Sequence, residues 1–274
     1  MLNVTQFMNS AADSRPGATA TIMGERQFTW EQHRERVARL ADSLRKLGAG
    51  PSDRVAILAL NSDRYTEYYH AVWWSGAAVV PMNIRWTAVE NAYSLNDSEA
   101  KILFVDKAFS GAMPEIRKEC PSLEHVIYLD DGDVPEGMLG YEDLVSNGSL
   151  CDDAMRGGED LAGLYYTGGT TGFPKGVMLP HRAIWYNNLV MSKMLDARPE
   201  SSYLHTAPMF HLADGAASGG LTAVGATHVY IPMFDIEGVM SAVEKHGVSH
   251  TLLVPTMIGM LLNSETFDPK RLSS

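Results

Sequence analysis

Short runs rich in apolar residues alternate along this chain with segments of helical spacing, and no other feature narrows its fold as much. The runs are DRVAILAL (53–60), AVVPMN (78–83), KILFVD (101–106), HVIYLD (125–130), LAGLYYT (161–167), GVMLP (176–180), SYLHTAP (202–208), THVYIP (227–232) and SHTLLVP (249–255). Each has strand length, and several are apolar at both odd and even positions, which marks strands buried on both faces. Between them, helical spacing covers about 63–75, 87–95, 182–195 and 236–246. A further helix is predicted from Thr29, where Gln32 three residues on completes a capping box. Val37, Leu40, Ala41, Leu44 and Leu47 form its apolar face, and Gly48 ends it. The pattern predicts an α/β fold of layered parallel sheets with helices on both faces.

The chain has 274 residues, enough for one large domain or two small ones. A polar stretch, SNGSLCDDAMRGGED (146–160), is the best linker candidate, giving a first α/β subdomain over 1–160 and the start of a second over 161–274. The acidic segment DDGDVPEG (130–137) reads as a solvated turn. The net charge of −11 argues against a nucleic-acid binder or an anionic-membrane surface binder, both of which need surplus Lys and Arg. It leaves room for a small anionic ligand held by local backbone amides. Two cysteines, Cys120 and Cys151, form no disulfide framework. The first residues lack a secretory pattern, and the apolar stretch 252–262 is too short to span a bilayer. A cytoplasmic protein is expected. His246 and His250 lack the companions of a zinc site, and the 15 methionines and Trp73, Trp74 and Trp86 read as core.

The chemistry is concentrated in Tyr166-Thr167-Gly168-Gly169-Thr170-Thr171-Gly172-Phe173-Pro174-Lys175-Gly176. The ten residues after Tyr166 hold four glycines, three threonines and one lysine. Glycines let successive N–H groups converge, threonine hydroxyls add donors or a metal ligand, and lysine adds a mobile positive charge. Together they form a cradle for a polyphosphate. The order Pro-Lys-Gly differs from the Gly-Lys-Ser/Thr of a Walker loop, and a β-type run follows instead of a helix. A hairpin-like phosphate loop, without a helix N-terminus, is therefore predicted.

The stretch YTGGTTGFPKGVMLPH (166–181) resembles the phosphate-loop signature of the adenylate-forming superfamily, which includes acyl-CoA synthetases and aryl-CoA ligases. Segments 76–90 (GAAVVPMNIRWTAVE), 96–106 (NDSEAKILFVD), 208–211 (PMFH) and 253–257 (LVPTM) resemble that superfamily in order and spacing. The resemblance implies an enzyme that uses ATP and Mg²⁺ to turn a carboxylic acid into an acyl-adenylate, then passes the acyl group to a thiol, usually that of CoA. It implies that Thr167, Gly168, Gly169, Thr170, Thr171, Gly172 and Lys175 hold the β- and γ-phosphates, with Thr167 a Mg²⁺ ligand and Lys175 also catalytic. His211 would stand by the carboxylate and α-phosphate, and Phe210 would wall the acid pocket. Apolar neighbours Met209, Leu212 and Met257 favour a fatty or aryl acid.

The superfamily also uses an adenine-binding glycine segment, a Tyr-Gly-x-Thr-Glu segment, a ribose-binding Asp and a mobile C-terminal domain with a catalytic lysine. None has a counterpart in these 274 residues. The stretch is therefore expected to be the N-terminal part of a ligase that by itself catalyses little. The expected partners are a small-molecule carboxylic acid, ATP and CoA, with self-association into a homo-oligomer where apolar surface is uncovered. The alternative is a non-catalytic homologue that binds nucleotide or an acyl group, or complements another chain.

Overall fold

The computed structural model describes residues 2–168 and 173–272. From the amino terminus run α1 (Thr5–Ser14), β1 (Thr19–Met23), β2 (Arg26–Thr29), α2 (Trp30–Lys46), β3 (Arg54–Leu58), α3 (Asp63–Ser75), β4 (Ala78–Pro81), α4 (Ala88–Ser98) and β5 (Ile102–Val105). Then come α5 (Lys107–Ser110), α6 (Met113–Glu119), β6 (His125–Tyr128), β7 (Leu139–Gly140), α7 (Tyr141–Asn147), β8 (Leu161–Thr167), β9 (Lys175–Pro180) and α8 (His181–Met194). The path continues through β10 (Ser202–His205), α9 (Leu212–Thr222), β11 (Thr227–Tyr230), α10 (Ile236–His246), β12 (His250–Thr251) and α11 (Pro255–Leu262), and ends in a 3₁₀ turn at Pro269–Leu272. The capping box at the start of α2 forms: Gln32 N–H donates to Thr29 Oγ1 at 3.2 Å and Thr29 N–H to Gln32 Oε1 at 2.9 Å.

The chain divides into two compact units. One comprises Met1–Thr5, Glu35–Leu60 and Arg64–Trp185, and the other Gln6–Arg34, Asn61–Asp63 and Tyr186–Ser274. The first unit is built on a seven-stranded sheet in the order β7-β6-β5-β3-β4-β8-β9, parallel except for the last pair. On one face Ala56, Leu58, Leu103 and Val105 pack with Leu95 of α4 and Met113 and Ile116 of α6. On the other, Tyr68 of α3 donates its hydroxyl to Val55 O and meets Phe104 edge-on at 5.2 Å. The sheet is covered on both sides, as its uniformly apolar strands require.

The second unit carries a five-stranded sheet, β12-β10-β11-β1-β2, in which only β1–β2 is antiparallel. Leu204 and Val229 face Val239, Ala242 and Val243 of α10, while Tyr203 faces Ala217 and Leu221 of α9. Helices again cover both faces.

The split expected near residue 160 does not coincide with these units, because β8 pairs with β4 at Val79 and Gly163 and so belongs to the sheet of the first unit. The polar stretch before it is no free linker. Ala154 N–H donates to Trp74 O, Trp74 Nε1 to Cys151 O, and Thr5 Oγ1 to Asp153. The strand expected over 249–255 shrinks to two residues, because Pro255 opens α11 at a position where a helix needs no N–H. Helix α9 was not expected at all. Its Gly219 and Gly220 lie where side chains would collide with α8: a Cβ on Gly220 would stand 2.9 Å from Met191 Cβ and Ser192 N. Small residues here serve close helix approach rather than a turn. Gly220→Ala is expected to destabilise the chain by about 1–3 kcal/mol, read as a lower urea midpoint with an unchanged slope.

Candidate active site

The phosphate-loop motif lies at the edge of the seven-stranded sheet. Strands β8 and β9 run antiparallel with Tyr166 opposite Gly176 and Thr167 opposite Lys175, so the two strands flank the motif on either side. The β-strand that follows the motif stands where the sequence predicts it. Directly opposed residues share a face of the sheet, so the Thr167 hydroxyl and the Lys175 ammonium leave the hairpin mouth on the same side. Thr167, Gly168 and Lys175 are exposed. Gly169, Thr170, Thr171 and Gly172 lie outside the described residues.

Helix α4 supports both ends of this hairpin. Its first turn is fixed by a capping box between Thr87 and Glu90. One turn apart on the helix, Tyr93 stacks on Phe173 (centroids 4.6 Å, planes 19° apart) and Asp97 accepts a 2.6 Å hydrogen bond from the Tyr166 hydroxyl. Burial, reinforced by the Asp97 carboxylate, pushes the Tyr166 phenol above its ordinary range, so it remains a donor. Gly176 lies against the Tyr166 ring, where a Cβ would come within 3.0 Å. Sequence reasoning missed Tyr93 and Asp97. Their i, i+4 spacing was the available signal, but nothing in the sequence tied that face to the loop.

The second expected cluster lies in the other unit, on the turn from β10 to α9. Phe210 is buried, His211 is exposed, and their rings stand 4.5 Å apart. His211 occupies the N-cap of α9 with extended backbone and makes no side-chain capping bond. The Asn61 amide clamps the turn, donating to His205 O at 3.2 Å and Ala207 O at 2.9 Å and accepting from Met209 N–H at 2.9 Å. Thr206 Oγ1 donates to Leu252 O at 2.6 Å. Of the other pocket candidates, Met209 is buried, Leu212 is exposed, and Met257 on α11 is half-buried.

Among the described residues no group of three His, Cys, Asp or Glu side chains could hold a metal, which includes the surroundings of His246 and His250. No described helix is long and apolar enough to cross a membrane. His181, directly after β9, is fully buried with neither ring nitrogen hydrogen-bonded. Burial lowers its pKa to about 4, with Asp160 opposing.

With this geometry in view, the likeness to known proteins is specific. Residues 8–274 match the AMP-binding enzyme family, and the chain belongs to it. It is 36% identical over 268 residues to a long-chain-fatty-acid–CoA ligase of Thermus thermophilus, covering 93% of this chain and 48% of that protein. It is 31% identical over 263 residues to 4-hydroxybutyrate–CoA ligase 2 of Metallosphaera sedula, covering 92% of this chain and 47% of that protein. An anthranilate CoA ligase solved with anthranoyl-AMP shares the fold at TM-score 0.89 and 24% identity, over 97% of this chain and 52% of that one. The chain thus spans about half the length of the curated relatives it matches.

Two outcomes follow from the site's surroundings. Because folding holds His181 neutral, its contribution to stability is intact above pH 6.5 and is lost as the pH falls towards about 4. Chemical denaturation of the wild type across that window should lose more stability than His181→Gln does. Replacing both supports, Tyr93→Ala with Asp97→Ala, should speed amide hydrogen exchange at Tyr166 and Gly176 by about tenfold while leaving far-ultraviolet circular dichroism unchanged.

Proposed function

We propose that the protein activates a fatty or aryl carboxylic acid with ATP and transfers the acyl group to CoA. The observation that carries this reading is the pairing of Thr167 with Lys175 across the mouth of a hairpin whose sequence is rich in Gly and Thr. A carboxylate oxygen would bond to the α-phosphorus as the bond from that phosphorus to the bridging oxygen breaks and pyrophosphate leaves. The CoA sulfur would then bond to the acyl carbon, and AMP would leave with the carboxylate oxygen. The first step brings two anions together, so its catalyst must supply positive charge and oriented donors.

In this protein Lys175 would neutralise the β- and γ-phosphates, aided by backbone N–H groups at Gly168 and the motif residues Gly169, Thr170, Thr171 and Gly172. His211 would donate towards the carboxylate and α-phosphate oxygens, with Phe210 walling the acid's apolar part. The Thr167 hydroxyl is a hard oxygen donor and fits Mg²⁺ as one ligand among phosphate oxygens; no described carboxylate cluster offers a site for the ion alone. When bound, Mg²⁺ supplies charge neutralisation on the phosphates. An apolar acid is favoured by the buried Met209 and Phe210. Long-chain fatty acids and 4-hydroxybutyrate, named for two relatives, mark the range to test. Two free cysteines suit a reducing compartment such as the cytoplasm.

The test is acid-dependent exchange of labelled pyrophosphate into ATP, over a panel of fatty and aryl acids, with the protein expressed in its whole reading frame. Exchange with at least one acid is expected, and Lys175→Ala should lower it by about 100-fold or more. Nucleotide binding without exchange for any acid would replace this reading by that of a non-catalytic binder.

A further inference from the structure

Beneath the β10–α9 turn lies a chain of hydrogen-bonded side chains that the proposed chemistry does not use. Tyr203 and His205 lie on one face of β10, and His228 and Tyr230 lie in register beside them on β11. The Tyr203 hydroxyl donates to Asp214 Oδ1 at 2.8 Å, and His205 Nδ1 stands 2.8 Å from Asp214 Oδ2. His205 Nε2 is 3.1 Å from His228 Nδ1, and His228 Nε2 is 3.1 Å from Thr222 Oγ1. His205 stacks on Tyr230 with centroids 4.4 Å apart, and Trp30 meets His228 edge-on. Every member from Tyr203 to Thr222 is buried.

A buried carboxylate with two buried histidines beyond it is costly unless each polar atom is paired, and here Asp214 pairs with Tyr203 and His205, and His228 with His205 and Thr222. With the Asp214 carboxylate accepting from His205 Nδ1–H, His205 Nε2 accepts from His228 Nδ1–H and His228 Nε2 accepts from the Thr222 hydroxyl, so one run of donors ends on the carboxylate. Packing alone would be served as well by apolar residues, as it is at Leu204 and Val229 on the opposite face of the same strands. What the polar chain adds is direction. Asp214 is in the first turn of α9, three residues after His211, and Thr222 is the last residue of that helix. The chain therefore pins both ends of α9 to β10 and β11. The turn between β10 and α9 is closed from its far side by Asn61.

We propose that Asp214, His205 and His228 are positioning residues that fix the start of α9, and with it the orientation of His211 and Phe210 for the carboxylic acid and the α-phosphate. The part of this proposal that concerns the acid rests on the adenylate-forming reading above. The fixing of the turn does not.

The experiment uses three variants. Asp214→Ala removes the shared acceptor. Asp214→Asn keeps it, because an amide oxygen can accept from Tyr203 while its N–H₂ donates to a His205 of the other tautomer. Leu221→Ala damages the same packing cluster without touching the hydrogen-bond chain. The imidazole resonances of His211, assigned with His211→Gln, are followed by NMR in each variant, and binding of a non-hydrolysable acyl-sulfamoyl adenosine is measured by calorimetry. Asp214→Ala is expected to shift and broaden the His211 signals and to weaken binding about 10- to 100-fold. Asp214→Asn should restore both, and Leu221→Ala should lower the melting temperature with little change in either. His211 signals unmoved in Asp214→Ala, or moved equally in Leu221→Ala, would overturn the proposal. If the wild type fails to bind the analogue, the acid-activation reading fails, and the NMR comparison still decides whether Asp214 positions His211.

Discussion

The phosphate-loop hairpin depends on the junction of β8 with β4. Gly163 sits against Val79 so closely that a Cβ there would come within 2.7 Å of the valine side chain. This contact lets β8 join a sheet already covered on both faces, and the antiparallel β9 then returns along the free edge. A parallel sheet continued by a single reversed strand leaves an antiparallel pair at its margin, held by its ladder, with Thr167, Gly168 and Lys175 exposed at its open end. The motif is followed by a strand and not a helix, and its one cation is Lys175, so the net charge of −11 sets no bar to a local anion site there.

The second unit solves a different problem. Its candidate site residues stand on a short turn, and turns are mobile unless their backbone groups are engaged. Here the Asn61 amide satisfies three main-chain groups of the turn, and the first turn of the following helix is tied down through Asp214. The helix itself is rich in small residues and can approach α8 closely, which sets its position by shape as well as by hydrogen bonds. Lys175 belongs to one unit and His211 to the other.

Much of this fold is legible in the sequence. The strands from β3 to β6 and from β8 to β11 fall where apolar runs predict them, and the bounds of α3 and α10 match the spacing. The capping box at Thr29 was legible because both partners are local. The failures share a cause. Helix α9 was hidden because Gly215, Gly219 and Gly220 weaken a helical reading, and only the neighbouring helix explains them. The polar residues 146–160 looked like a linker because their partners, Trp74, Arg45 and Thr5, are distant in sequence. Strands β1 and β2 find their place through pairing of β1 with β11, some two hundred residues away.

The sequence by itself determined the α/β class and the strands that flank the Gly- and Thr-rich motif, because each is written in local pattern, and the motif made Thr167, Lys175, Phe210 and His211 candidates. Tertiary structure alone decided that β8 completes the first sheet, that Tyr93 and Asp97 support the loop, and that Tyr203, His205, Asp214, His228 and Thr222 form one buried chain. Those outcomes depend on which distant groups fold together, and a buried polar atom finds its partner by geometry that no sequence spacing encodes.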